Sequence, residues 1–432
     1  MKRELPAILG GSKEIKTPLK HYKTIGEEEK KAVIKVIDGG TLSGFIGADC
    51  PEFYGGENIK SLEKNWCDYF NVKHAITMNS ATSCLYASIA AARISPGDEI
   101  LVTPTTMTAT VTGIILYQAI PVFVDIDEDT FCINVEKIEE KITHKTKAII
   151  GVDIYGNTAN WSRINEIATK HNLFLIEDSS QSIGGIYKNK MSGTLANIGI
   201  YSLNRHKHIH CGEGGVCVTD DDDLALRLKL IRNHGEAVVD SMGYKDISNI
   251  IGFNYRMTEI EASIAIEQLK KLKDLVRDRI KMCNKIIKEF SKYDFFVPQK
   301  MSPLDKNHEV STNIFYYLCF KVEEEALGMK LVDFVSALNA EGIPAGMGGY
   351  MPIYLQPMFQ KKVSFNNGNF NKTKANYERG ICPVAERMWF EELFYIKVQN
   401  FIFDDTQIAL ISKALDKVLL HRKEISYALN HQ

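Results

Sequence analysis

The segment Tyr201-Ser202-Leu203-Asn204-Arg205-His206-Lys207-His208-Ile209-His210-Cys211-Gly212-Glu213-Gly214-Gly215 holds one lysine flanked by histidines and followed by a glycine-rich turn. Partial burial and neighbouring cations make a lysine lose its proton more readily, so Lys207 is a candidate amine nucleophile of the Schiff-base type. Glycine there lets backbone approach closely. The alternation of His206, His208 and His210, with Cys211 next, also permits a reading as metal ligands on one strand face. No second Cys, His or carboxylate cluster with ligand spacing accompanies it, so no metal is expected.

Three further segments carry chemistry. Asp178, in Ile176-Glu177-Asp178-Ser179-Ser180-Gln181, stands where an apolar run gives way to polar residues, and a carboxylate there can face the ring nitrogen of a heterocyclic cofactor. Alone, an aspartate there reads first as a helix cap or a surface pair. Asn79-Ser80-Ala81-Thr82-Ser83 opens a helical run of Ala, Leu and Ile, where N–H groups and hydroxyls can converge on an anion; a simple N-cap gives the same pattern. In Gly252-Phe253-Asn254-Tyr255-Arg256-Met257-Thr258-Glu259, Arg256 could clamp a carboxylate and Asn254 reach a phosphate, or Arg256 could be salt-bridged at a helix start.

The elements that must position these residues follow from periodicity. Between about residues 55 and 220, short apolar runs alternate with helical patterns, as in an α/β domain with a largely parallel sheet. The expected strands are Glu99 to Val102, Pro121 to Asp125, Ala148 to Asp153, Leu173 to Glu177, Gly199 to Leu203 and Gly215 to Thr219. In such sheets ligands gather beyond the carboxyl ends of the strands. Helices are expected at Glu28 to Ile37, Trp161 to Lys170 and Thr258 to about Phe290. After Pro298 comes a turn-rich stretch (Met301 to Asn307), a strand (Ile314 to Val322), a helix (Lys330 to Asn339), a Gly-rich loop (Gly346 to Gly349) and a last helix after Asp404. The expected division is a large α/β domain over residues 1–295 and a small α+β domain over 296–432.

With 432 residues, 45% hydrophobic, 25% charged and a net charge of −2, the chain has the balance of an ordinary soluble globular protein. Basic and acidic residues are interleaved, which argues against nucleic acid as a partner. Nine scattered cysteines, a first stretch too weakly apolar for a signal peptide and no apolar run of membrane-spanning length point to a cytoplasmic protein without membrane attachment.

Taken in order, these segments resemble the DegT/DnrJ/EryC1/StrS family of pyridoxal-phosphate-dependent sugar aminotransferases. The resemblance runs from Gly26-Glu27-Glu28-Glu29 through Gly97-Asp98-Glu99-Ile100 and Pro121-Val122-Phe123-Val124-Asp125 to Cys382-Pro383-Val384-Ala385-Glu386, with Asp178, Ser202 and Lys207 separated as in the family. It implies the aspartate aminotransferase type of fold, pyridoxal 5′-phosphate as cofactor and a homodimer with shared active sites. By resemblance, Lys207 is the Schiff-base lysine and proton shuttle, Asp178 pairs with the pyridine nitrogen and Gln181 lies by the ring's phenolic oxygen. Ala81, Thr82 and Ser202 hold the phosphate, Asn254 reaches the phosphate in the neighbouring subunit, and Arg256 meets the donor's carboxylate.

The sequence departs from the family in two places: Ala81 replaces the usual glycine, and Met107 occupies the ring-stacking position that is usually aromatic. Some relatives carry histidine in place of the lysine and act as sugar 3-dehydratases; the spacing from Ser202 and to Gly212-Glu213-Gly214-Gly215 puts Lys207, not His206 or His208, at that position. The expected reaction moves an amino group from L-glutamate or L-glutamine to a keto-sugar, first of all a nucleotide-linked one. A cyclitol ketone or antibiotic precursor, a dehydratase reaction and a non-catalytic regulator are the alternatives.

Overall fold

The computed structural model describes residues 4–302 and 310–431. A short strand β1 (Lys20–His21) leads into helices α1 (Glu27–Gly39) and α2 (Glu57–Phe70). Strands and helices then alternate: β2 (His74–Met78), α3 (Ala81–Ala91), β3 (Glu99–Val102), α4 (Ala109–Leu116), β4 (Ile120–Phe123), β5 (Thr146–Val152), α5 (Trp161–His171) and β6 (Phe174–Asp178). A hairpin of β7 (Ile186–Tyr187) and β8 (Lys190–Met191) precedes β9 (Ile198–Ser202), β10 (Gly215–Thr219), α6 (Asp222–Arg232) and the long α7 (Glu259–Phe290).

The main sheet has the order β2-β10-β9-β6-β5-β3-β4. β9, β6, β5, β3 and β4 pair in parallel, while β10 runs antiparallel to both its neighbours. Ala148–Val152 is buried throughout, because a parallel sheet is covered on both faces and its strands read as unbroken apolar runs. In α5 only the stripe Trp161, Ile164, Ile167 and Ala168 is buried, and the Asn160 side chain caps its start.

A second, antiparallel sheet consists of β11 (Val297–Pro298), β12 (Leu318–Lys321), β13 (Ala345–Met347) and β14 (Leu393–Ile396), in the order β11-β12-β14-β13. Its core includes Phe296, Phe320, Phe334 and Phe394. β15 (Phe401–Ile402) pairs with β1, so the first strand of the chain lies beside one of its last segments. α7, opened by a Thr258–Glu261 capping box, joins the two parts: Ala262, Ala265, Leu269 and Leu272 pack beside the main sheet, and Cys283, Ile286 and Phe290 enter the second core.

The structure differs from expectation at several elements. β2 was not expected; its five residues carry only two β-branched side chains, Ile76 and Thr77, and pairing with β10 secures it. The strand foreseen from Ile314 begins only at Leu318, because Ile314 and Tyr316 donate their N–H groups to the Gly156 and Tyr155 carbonyls of the main domain. β13 absorbs half of the expected Gly-rich loop. The segment around Ile353, Tyr354, Phe359 and Phe370 folds back into the core of the main sheet. Of the expected turn-rich stretch, residues 303–307 lie outside the described residues.

Candidate active site

The carboxyl ends of β5, β6 and β9 lie side by side next to the point where the strand order reverses, between β3 and β5. A crevice forms at such a switch point because the connections leave toward opposite faces. Asp178 ends β6 and is 4% exposed. Thr110, in the first turn of α4, donates its hydroxyl to Asp178 Oδ2 at 2.9 Å, and the Ser180 N–H donates to Oδ1 at 3.2 Å. Beneath it, Ser179, Ser182 and Ser192 donate to Asp153 Oδ2 at 2.8, 3.0 and 2.7 Å, while Glu177 accepts the Gly193 and Leu195 N–H groups. These bonds fix the loop after β6. Burial, and after it the Asp153 carboxylate, push the Glu177 carboxyl well above its usual range.

Lys207 follows β9 on a loop closed by backbone bonds from Leu203 to Gly214 and from Lys207 to Asn204. Its side chain is buried, and its Nζ lies 4.5 Å from the centre of the Tyr316 ring. Desolvation lowers its pKa to about 8, against the opposing pull of Asp178. An amine so placed is partly neutral near physiological pH and able to attack a carbonyl.

The chain turns from β2 into α3 at Ser80, whose hydroxyl caps the Ser83 N–H at 3.1 Å. Ala81 and Thr82, both half-buried, open the helix, so their N–H groups have no intrahelical acceptor. Gly215 begins β10 directly against this turn; a Cβ there would come within 2.6 Å of the Ala81 nitrogen. The Ser202 hydroxyl ends β9 nearby in the sheet, since Gly215 pairs with both Ser202 and Met78. Unspent N–H groups at a helix start suit a phosphate, and a buried carboxylate with a partly neutral amine suits a pyridoxal ring, so the residues present fit pyridoxal 5′-phosphate.

Gln181 is buried; its Oε1 accepts the Tyr155 N–H at 2.9 Å and its Nε2 donates to the Tyr350 hydroxyl at 3.2 Å. The rings of Tyr155 and Tyr350 stack with centroids 5.9 Å apart. Tyr155 sits in the left-handed region (φ 60), which a bulky side chain adopts only when its surroundings impose it. Thr110, Tyr155, Tyr316 and Tyr350 were not singled out by the sequence reading. Tyr350 directly follows the noted glycine pair, a signal that could have found it; the others become visible only through folding.

Three further expected residues lie on segments that adjoin these elements: Met107 just before α4, and Asn254 and Arg256 on the segment whose Tyr255 carbonyl accepts the Asn79 N–H. Met107 is 54% exposed, and Asn254 is exposed, with its carbonyl 3.5 Å from Asn79 Nδ2. Arg256 donates to Asn233 Oδ1 at 2.9 Å. In the histidine run, His208 is buried and bonds the Ile314 carbonyl, while His206 and His210 are half-buried and lowered in pKa mainly by burial. Among the described residues no three His, Cys, Asp or Glu side chains form a group that could hold a metal, and no helix is long and apolar enough to cross a membrane.

A mostly parallel sheet with a buried lysine and carboxylate at its carboxyl ends defines a pyridoxal-phosphate-dependent aminotransferase of the aspartate aminotransferase type. The solved aminotransferase of Psychrobacter cryohalolentis superposes with a TM-score of 0.79 at 25% identity, over 94% of this chain and 100% of that one. The chain belongs to the DegT/DnrJ/EryC1/StrS aminotransferase family, whose family model matches residues 23–396. It is 32% identical over 372 residues to an uncharacterized protein of Methanocaldococcus jannaschii, covering 84% of this chain and 92% of that protein. It is also 39% identical over 227 residues to the GDP-perosamine synthase of Caulobacter vibrioides, covering 52% and 60% respectively.

Proposed function

We propose that the protein transfers an amino group from L-glutamate or L-glutamine to a nucleotide-linked keto-sugar in amino-sugar biosynthesis, as a cytoplasmic homodimer. The observation that carries this reading is the Lys207 amine, buried after β9 and 4.5 Å from the Tyr316 ring, with the buried Asp178 at the end of the adjacent β6; burial lowers the amine to about 8. The similarity to a GDP-perosamine synthase supports a sugar acceptor carried on a nucleotide.

Pyridoxal 5′-phosphate, when bound, supplies the electron sink. Ala81 and Thr82 offer N–H groups and a hydroxyl to its phosphate, with Ser202 beside them. Asp178, steadied by Thr110, would pair with the pyridine nitrogen and hold it protonated. Gln181 would lie toward the phenolic oxygen, and Met107 would pack on the ring. Lys207 would anchor the cofactor and, once freed by the amino donor, would take up and return the proton at its Nζ. Arg256 would meet the donor's carboxylate, and Asn254 would complete the phosphate site of the partner subunit. Lysine at this position favours transamination over dehydration.

The test is the visible absorbance of purified protein with added cofactor, before and after glutamate or glutamine, for wild type and Lys207→Ala. A yellow band that bleaches with donor, and that borohydride fixes onto wild type but not the variant, is expected. Incubation with donor and a panel of nucleotide keto-sugars and cyclitol ketones, read by mass spectrometry, identifies the acceptor. Aminated cyclitol alone would overturn the sugar assignment; cofactor bound without attachment to Lys207 would overturn the aminotransferase mechanism.

A further inference from the structure

The histidine next to Lys207 is not explained by the chemistry above. His208 is 2% exposed, and its Nε2–H donates to the Ile314 carbonyl at 2.9 Å. Because a carbonyl only accepts, Nε2 carries the proton, and Nδ1 has no partner among the described residues. A second proton would be buried without an acceptor, and the Arg279 charge opposes it too; burial and that charge lower the His208 pKa to about 3.

Two other side chains close the arrangement. Tyr22, which follows β1, donates its hydroxyl to the His208 carbonyl at 2.8 Å. Arg279, on α7, is 4% exposed, donates to the Phe315 carbonyl at 3.2 Å and lies 4.3 Å from the centre of the Tyr22 ring. No carboxylate pairs with Arg279 among the described residues. The contacts form a ring: His208 to Ile314, along the chain to Phe315, to Arg279, to Tyr22 and back to His208. Each end of the ring adjoins a residue of the candidate site. Lys207 precedes His208, and Tyr316, the ring beneath the Lys207 amine, follows Phe315. Tyr22 is itself anchored, since its N–H donates to Asn400 at 2.8 Å and the preceding residues pair with β15.

We propose that Tyr22, His208 and Arg279 are positioning residues, a clamp that locks the Lys207 loop onto the 314–316 segment and so fixes the amine over Tyr316 and toward the cofactor. The inference rests on Lys207 as the cofactor-bearing lysine. The clamp draws its parts from the residue after the first strand, the lysine loop, α7 and the link into the second sheet, so the N-terminal segment helps to build the site.

The experiment compares wild type with Tyr22→Phe, His208→Met and His208→Gln, each reconstituted with pyridoxal 5′-phosphate. Tyr22→Phe keeps the ring over Arg279 and loses only the hydroxyl; His208→Gln restores a donor toward Ile314. The readouts are borohydride fixation at Lys207, visible circular dichroism per attached cofactor, and kcat and KM for the amino donor. Attachment is expected in every variant. Tyr22→Phe and His208→Met should lose about half or more of the dichroism and about tenfold to a hundredfold in kcat, with donor KM within about threefold, as misplacement of a reacting group by a fraction of an ångström requires. His208→Gln should recover most of both signals.

Wild-type dichroism and kcat in Tyr22→Phe and His208→Met would overturn the clamp alone, as would a His208→Gln variant no better than His208→Met. If His208→Met does not fold, the other two variants decide. Failure of wild type to attach the cofactor at Lys207 would instead overturn the functional reading, and the clamp with it.

Discussion

Lys207→Met is expected to stabilise the cofactor-free protein. Burial holds the lysine at about 8, well below the ordinary lysine value near 10.5. At about 1.4 kcal/mol per pKa unit, the folded state therefore bears a cost of roughly 3 kcal/mol while the amine is protonated in both states. The cation's contact with the Tyr316 ring, 4.5 Å away, returns about 1–2 kcal/mol of this. Methionine fills similar volume without charge, so the net gain is roughly 1–2 kcal/mol near pH 7. The sign follows from proton counts. Between about pH 8 and 10.5 the unfolded chain binds more protons at this residue, so wild-type stability rises with pH through that window. The gap between variant and wild type is full below pH 8 and shrinks as pH approaches 10.5. Urea unfolding of both cofactor-free proteins at pH 7, 9 and 10.5 measures it. A variant no more stable than wild type at pH 7, or an advantage unchanged at pH 10.5, would refute the claim that the fold holds this amine out of water at a cost.

Three other outcomes can be checked directly. Asp178→Asn removes the buried charge facing the cofactor and should lower kcat by about a hundredfold to a few thousandfold, the kinetic equivalent of about 3–5 kcal/mol, read from release of the donor's 2-oxo acid. Thr110→Val removes the 2.9 Å hydrogen bond to Asp178 and should lower kcat about tenfold, corresponding to roughly 1.5 kcal/mol, with the thermal midpoint within a few degrees of wild type. Gly215→Ala puts a Cβ within 2.6 Å of the Ala81 nitrogen and should weaken pyridoxal 5′-phosphate binding about tenfold to a hundredfold, a cost of about 1–3 kcal/mol, read by absorbance titration.

The amino-acid sequence by itself determined the strands and helices that carry Asp178, Ser202, Lys207 and the Ala81–Thr82 turn, because apolar runs, their polar ends and helix starts are local signals. It also carried the family, through the order and separation of those residues. Short, weakly patterned β2 escaped, since only pairing with β10 makes it a strand. Tertiary structure alone decided what surrounds the lysine. Tyr316 and Arg279 come from segments remote in the chain, and Tyr155 is held in its left-handed conformation by the parts packed around it. The basicity of Lys207 and the neutrality of His208 therefore could not be read from residue types. Both depend on desolvation and neighbouring charge, which exist only after the strand ends, α7 and the first strand have come together.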